Sequence, residues 1–272
     1  MAVLYLAEEL VKIKINVQIN RIQTNFPSTK KHAKMHSYME ETHSRKEDNN
    51  LKPNTALLLI DLQNEDGTSA VVGMDGILQN TKKVLDICRD VGILVIYTRH
   101  INRADGIALA NREPVDAKGE PLYYHSESSA IEIADLIRPE DGDLIVDKYR
   151  YSGFYESNLD LLLKGLGIQH LIVGGVLTDV CVLSTVMDAY YRDYQVSLVE
   201  DLCGTTTEGA HMAAMLMMAN WIYDLEVYQT DELLKKMDGE SYQVWSSEEP
   251  DALQFSPDNM RAVFAKLSST TK

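Results

Sequence analysis

Gly174-Gly175-Val176-Leu177-Thr178-Asp179-Val180-Cys181-Val182 is entered by the apolar run Leu171-Ile172-Val173. It is left by the helix-like run Val182-Leu183-Ser184-Thr185-Val186-Met187-Asp188-Ala189. A buried strand, a tight turn and a helix in that order place Cys181 in a first helical turn. There, free backbone N–H groups and the positive end of the helix dipole favour a thiolate. The same N–H groups can cradle an oxyanion. A thiol so placed is a candidate nucleophile.

The pattern recurs outward from this stretch. Thr55–Asp61, Ile93–Thr98, Asp143–Asp147, the Leu171 run, Gln195–Val199 and Tyr223–Val227 read as strands. Helices are expected near Asp75–Val91, Ser128–Ile137, Ser157–Leu166, Val182–Arg192 and Glu208–Ala219, with Ile77, Val84, Leu85 and Ile87 sharing one face of the first. Apolar strands alternating with helices predict an α/β fold of three layers, doubly wound, with a six-stranded parallel sheet and helices on both faces. In such sheets ligands sit at the carboxyl ends of the strands, at the topological switch point. A long connection over Arg99–Ser126 is expected to cover the site, and the tail after Asp231 reads as peripheral helix and loop.

The chain has 272 residues and a net charge of −15, which argues against nucleic acid or an anionic membrane surface as partner. No run approaches the roughly 18 apolar residues of a membrane span. Residues 1–52 are more basic than the rest and carry His32, His36 and His43. They read as a weakly ordered extension, or as an arm packing on a partner through the alternation Val11, Ile13, Ile15, Val17, Ile19. Residues 53–272 form the main domain. Charges at Glu8, Glu9, Lys12 and Lys14 speak against a signal peptide. Cys88, Cys181 and Cys203 are too few and too widely spaced for a disulfide framework or a zinc ribbon, so a reducing cytoplasm is expected. Cys88, inside a helix, reads as core. Cys203, after the fifth strand, is a weaker nucleophile candidate, and Asp201 reads as structural.

Three strands end in a reactive side chain: Asp61, Lys148 and Cys181. If they converge on one sheet edge, Lys148 favours the thiolate and Asp61 can move the thiol proton. Taken singly, a strand-end Asp is often a turn former, a Lys is usually solvated and a Cys is usually inert core. The coincidence of all three is what carries weight.

The segments Leu59-Ile60-Asp61-Leu62-Gln63-Asn64, Asp147-Lys148-Tyr149-Arg150-Tyr151-Ser152-Gly153-Phe154 and Gly175–Val182 resemble those of the isochorismatase-like cysteine hydrolases. The resemblance spans about Thr55 to Leu234. That family includes N-carbamoylsarcosine amidase, nicotinamidase, ureidoacrylate amidohydrolase and biuret hydrolase. The resemblance implies an Asp61, Lys148, Cys181 triad and a cis peptide at Val176–Leu177. It also implies an oxyanion hole from the Leu177 and Cys181 N–H groups. Relatives often carry Asn where this chain has Asp179, which is expected to point away from the thiol.

Nicotinamidases of that family hold a metal through an Asp-x-His pair after the first strand. Here Asn64, Glu65 and Asp66 stand there, so no metal and no other cofactor is expected. No dinucleotide fingerprint is present. Gln63, Arg150, Tyr151, Phe154 and Tyr155 are the candidate substrate contacts. Arg150 either takes a substrate carboxylate or pairs with a neighbouring helix. The expected activity is cleavage of a C–N bond in a small amide or ureide through a thioester, in a homo-oligomer. The alternatives are an inactive binding member of the fold, a vinyl-ether hydrolase of isochorismatase type and a redox-active thiol protein.

Overall fold

The computed structural model describes residues 54–64, 70–247 and 249–268. The arm assigned to residues 1–52 therefore lies outside the described residues, as do Glu65 and Asp66. Seven strands form one sheet: β1 (Thr55–Ile60), β2 (Leu94–His100), β3 (Leu144–Lys148), β4 (His170–Val176), β5 (Gln195–Gly204), β6 (Glu226–Tyr228) and β7 (Trp245–Ser246). Their order is β3-β2-β1-β4-β5-β6-β7, parallel throughout except for β7, which runs antiparallel to β6. The winding reverses between β1 and β4, so the switch point lies where Asp61 and the Cys181 turn leave the sheet.

The helices are α1 (Met74–Asp90), α2 (Leu159–Gly165), α3 (Leu183–Tyr190), α4 (Glu208–Trp221), α5 (Thr230–Met237) and α6 (Met260–Phe264). Alternate residues of β1 sort into two cores, as a pleated strand requires. Ala56, Leu58 and Ile60 join Leu159, Leu163, Val186 and Met215 from α2, α3 and α4. Leu57 and Leu59 join Ile77, Val84, Leu85 and Leu233 from α1 and α5 on the other face. The first helix buries Ile77, Val84, Leu85 and Cys88, with Ile87 only partly buried.

The structure corrects four sequence expectations. The sheet has a seventh strand, because the tail returns to cover the edge of β6. The Ser128–Ile137 segment is two 3₁₀ turns, Ser129–Ile131 and Asp135–Ile137, and not an α-helix. Its backbone pairs with the chain leaving β1, through Asn64 N–H to Glu132 O and Ala134 N–H to Leu62 O, each near 2.9 Å. Those bonds replace a helical ladder. The fifth strand runs on to Gly204, past a register shift against β4, so that Cys203 lies within it. The sixth strand starts at Glu226, after Asp224 adopts a left-handed φ of 64°.

Close strand packing explains Gly175. Its φ is +140°, and a Cβ there would lie 2.2 Å from the Ile60 carbonyl oxygen. Gly175→Ala is expected to destabilise the protein by at least about 1–3 kcal/mol, since backbone cannot move aside as a side chain can. A thermal melt checks this, and an unchanged midpoint would count against the packing argument.

The opposite end of the sheet carries a buried polar row. Thr55 Oγ1 meets His170 Nδ1 at 3.0 Å, and His170 Nε2 meets Ser197 Oγ at 2.9 Å. Ser197 donates to Glu226 at 3.0 Å, and Glu226 lies 3.4 Å from Lys236 Nζ. These residues come from β1, β4, β5, β6 and α5, so side-chain bonds tie the strands together below the site. Among the described residues no helix is long and apolar enough to cross a membrane.

Candidate active site

Strand register determines which side chains meet. Ile60 pairs with Gly175 on one side and Thr98 on the other, and His100 pairs with Lys148. Asp61 follows β1 directly, with a left-handed φ of 52°, a conformation more accessible to Asp than to most residues. Its N–H bonds the Thr98 carbonyl at 3.2 Å, and its Oδ1 accepts the Thr98 hydroxyl at 2.7 Å. Lys148 starts two strands away, about 10 Å at ordinary strand spacing. Its stem crosses the end of β2 to reach Asp61.

The Lys148 ammonium is wholly buried and lies among four acceptors. Asp61 Oδ2 lies at 2.6 Å, Arg150 O at 3.0 Å, His100 Nδ1 at 3.2 Å and Cys181 Sγ at 3.4 Å. The structure thus brings Asp61, Lys148 and Cys181 into one cluster. It adds His100, a residue that sequence reasoning passed over. Its signal was available: like Asp61, it is a polar side chain at the carboxyl end of a strand.

Burial and neighbours set the charges. Burial alone would depress the Lys148 ammonium, but the Asp61 carboxylate and the Cys181 sulfur hold it above the usual lysine value. Burial, then Lys148, pulls His100 down to about 4, so its ring is neutral. With Nδ1 accepting from the ammonium, the ring proton sits on Nε2. Burial, reinforced by the Asp61 carboxylate, pushes the Cys181 thiol up to about 12 despite Lys148. This corrects the sequence expectation of a resting thiolate: desolvation outweighs both the helix terminus and the ammonium. At neutral pH the cluster therefore holds a thiol beside an ammonium. Asp61 Oδ2, in ion contact with Lys148, carries no aligned hydrogen bond although it is buried.

One donor atom each from Asp61, His100 and Cys181 lie within 4.8 Å of one another, a spacing that suits a metal ion. The Lys148 ammonium contacts all three, so an entering cation would meet a positive charge already seated there.

Cys181 stands in a turn over Thr178–Val182 that precedes α3 and carries an i→i+5 bond, Val182 N–H to Leu177 O at 3.1 Å. Such widened turns are frequent at functional sites. The Val176–Leu177 peptide is cis. Asp179 accepts the Thr205 hydroxyl at 2.6 Å, which ties its carboxylate to the end of β5.

The candidate substrate contacts divide. Gln63 is buried, and its amide bonds the backbone of His100 in both directions and the Ile131 carbonyl, all within 3.0 Å. It braces the site wall. Phe154 is core, stacked on Tyr194 at 5.7 Å with the Arg192 guanidinium 5.0 Å from its ring. Both assignments as substrate contacts are therefore corrected: neighbours of a reactive residue in sequence are turned into the scaffold. Tyr151 is 60% exposed, with its ring 6.5 Å from that of His100, and Tyr155 is 51% exposed. Arg150 bonds the carbonyls of Ala108 and Tyr149, and among the described residues no carboxylate pairs with it. The pairing with a helix considered from sequence is not found there.

The loop after β2 is stapled at Asn102, whose amide donates to Glu113 and to the Tyr123 carbonyl at 3.1 Å. It sets Tyr124 against His100, ring centres 4.7 Å apart. Cys88 and Cys203 are buried, and burial pushes both thiols up.

A doubly wound α/β sheet thus carries a thiol, a carboxyl group and an ammonium at its switch point. Residues 55–227 match the Isochorismatase domain model, and the chain belongs to the isochorismatase family of hydrolases. It is 30% identical over 184 residues to ureidoacrylate amidohydrolase RutB of Rhizobium rhizogenes, a match covering 58% of this chain and 74% of that one. It is 32% identical over 174 residues to a probable inactive nicotinamidase of Arabidopsis thaliana, covering 61% and 89%. A cysteine hydrolase from Pseudomonas syringae has a similar structure, with a TM-score of 0.62 and 26% identity over 70% of this chain and 95% of that one.

Proposed function

We propose that this protein is an amidohydrolase that cleaves a C–N bond of a small amide or ureide by nucleophilic attack of Cys181. The observation that carries this reading is the buried cluster in which the Asp61 carboxyl, in ion contact with the Lys148 ammonium, lies within 4.8 Å of the Cys181 sulfur. A base next to a thiol, with a cation beside both, is the arrangement that activates a weak nucleophile.

Asp61 takes the thiol proton as sulfur bonds to the carbonyl carbon, and the carbonyl oxygen gains the charge. The Leu177 and Cys181 N–H groups receive that oxyanion, a contribution of about 3–4 kcal/mol per donor. Asp61 passes the proton to the amine as the C–N bond breaks, which leaves a thioester. Water then loses a proton to Asp61 and attacks the thioester. The C–S bond breaks, and the proton returns to sulfur. Lys148 stays charged throughout and compensates the negative charge as it moves between carboxylate and sulfur. His100 stays neutral and orients Lys148. No step calls for a metal or an organic cofactor.

Ammonia release from ureidoacrylate, biuret, carbamoyl amino acids, maleamate and nicotinamide tests the reading. Turnover of at least one ureide or amide is expected, and silence across the series would count against it. The relative named a probable inactive nicotinamidase prompts the alternative of a binding protein, but here Asp61, Lys148 and Cys181 stand together.

Arg150, lacking a carboxylate partner among the described residues, is suited to hold a carboxylate on the substrate. Arg150→Met is expected to raise KM for ureidoacrylate about tenfold to a hundredfold, the worth of a charge-assisted hydrogen bond. KM for uncharged biuret should hardly move. Equal effects on both would remove Arg150 from this role.

A further inference from the structure

The turn that carries Cys181 is held from behind by a chain of side chains that the chemistry above does not use. Thr178, the first residue of the turn, is wholly buried. Its hydroxyl lies 2.9 Å from His211 Nδ1. The other ring nitrogen of His211 lies 2.9 Å from Glu200 Oε1, and Glu200 Oε2 accepts from Gln229 at 2.7 Å. Burial would raise the Glu200 carboxyl, but its bonds from His211 and Gln229 hold it below the usual range, so it is ionised. An ionised Glu200 fixes the proton of His211 on Nε2. His211 Nδ1, on the opposite side of the ring, then faces the Thr178 hydroxyl within hydrogen-bond distance. Phe264 packs edge-on against the ring, 5.6 Å away, and limits its rotation.

The turn needs such an anchor. Its i→i+5 bond leaves it without a regular helical ladder at the point where Leu177 and Cys181 must converge on one oxygen. Thr178 lies between them in sequence, one residue after Leu177 and three before Cys181.

We propose that Glu200, His211 and Thr178 form a positioning relay that sets the Cys181 turn for transition-state stabilisation. None of the three contacts the reacting atoms. The inference rests on the thiol-hydrolase reading above.

A cavity of about 300 Å³, lined by Gly73, Asn80, Glu200, Cys203, Thr205 and His211 among others, contains none of Asp61, Lys148 and Cys181. It opens onto the His211 ring, and this gives the relay a chemical test. Removing the imidazole by His211→Ala leaves a vacant place that free imidazole can reach through the cavity.

The experiment measures kcat, KM and the melting midpoint on ureidoacrylate, or on whichever compound of the release series turns over fastest. Thr178→Val, which keeps shape and loses the hydroxyl, is expected to lower kcat about tenfold to a hundredfold, the cost of a small misplacement. KM should stay within about twofold, because the interaction acts in the transition state. Thr178→Ser should restore most of kcat. His211→Ala should lose kcat to a similar extent and regain it as imidazole is added. A Thr178→Val enzyme with the parent's kcat overturns the relay. So does a His211→Ala enzyme that folds, is slow and ignores imidazole. If Thr178→Val melts far below the parent, the imidazole arm decides alone. A parent that hydrolyses nothing in the series overturns the thiol-hydrolase reading and the relay with it. A relay failure beside an active parent leaves that reading standing.

Discussion

Cys181→Ala is expected to leave no measurable turnover, a loss of about 10⁴-fold or more, as for removal of other covalent nucleophiles. The fold should survive. Cys181 as a residue is 8% exposed, and the change to alanine removes a single atom, so its loss opens little core. Parent and variant are compared by ammonia release and by thermal melting. A variant that turns over at the parent's rate removes Cys181 from the mechanism. A variant that unfolds would instead mark the thiol as a packing group.

Lys148→Met should cost both chemistry and stability. Methionine fills similar volume but leaves the Asp61 carboxylate buried with no counter-charge. Breaking one side of a buried ion pair destabilises by about 3–5 kcal/mol. The sign follows from the direction of the shift. The folded state holds the Lys148 ammonium above its ordinary value. Its contribution is therefore fully present at neutral pH and fades only as pH rises beyond the ordinary lysine range. Denaturant melts at neutral pH should show the loss in the variant, and raising pH toward 11 should narrow the gap between the two proteins. A gap that widened with pH would contradict the ion-pair account. Turnover should fall as well, because the negative charge arriving on sulfur would lack its cation.

The helix-and-strand alternation was legible because β1 and β4 are apolar on both faces, a pattern that a buried parallel strand requires. Asp61, Lys148 and Cys181 were legible because each stands at or just past the carboxyl end of a strand. His100 was open to the same strand-end reasoning, but its partner was not, since the contact with Lys148 depends on the pairing of β2 with β3. β7 spans two residues and has no periodicity to read. The charge state of Cys181 was misjudged for a different reason. Its neighbours are visible in sequence, but the depth of its burial is not, and burial is the largest influence on it. Gln63 and Phe154 show that sequence proximity to a reactive residue says little about facing: Gln63 braces backbone and Phe154 stacks in the core.

The polar row from Thr55 to Lys236 fastens the sheet at the end away from the chemistry. Footing and workshop are thus separate. A designer seeking a new substrate can recut the rim around Tyr151 and Arg150 without loosening the foundations, and damage below should weaken the protein while leaving its preferences untouched.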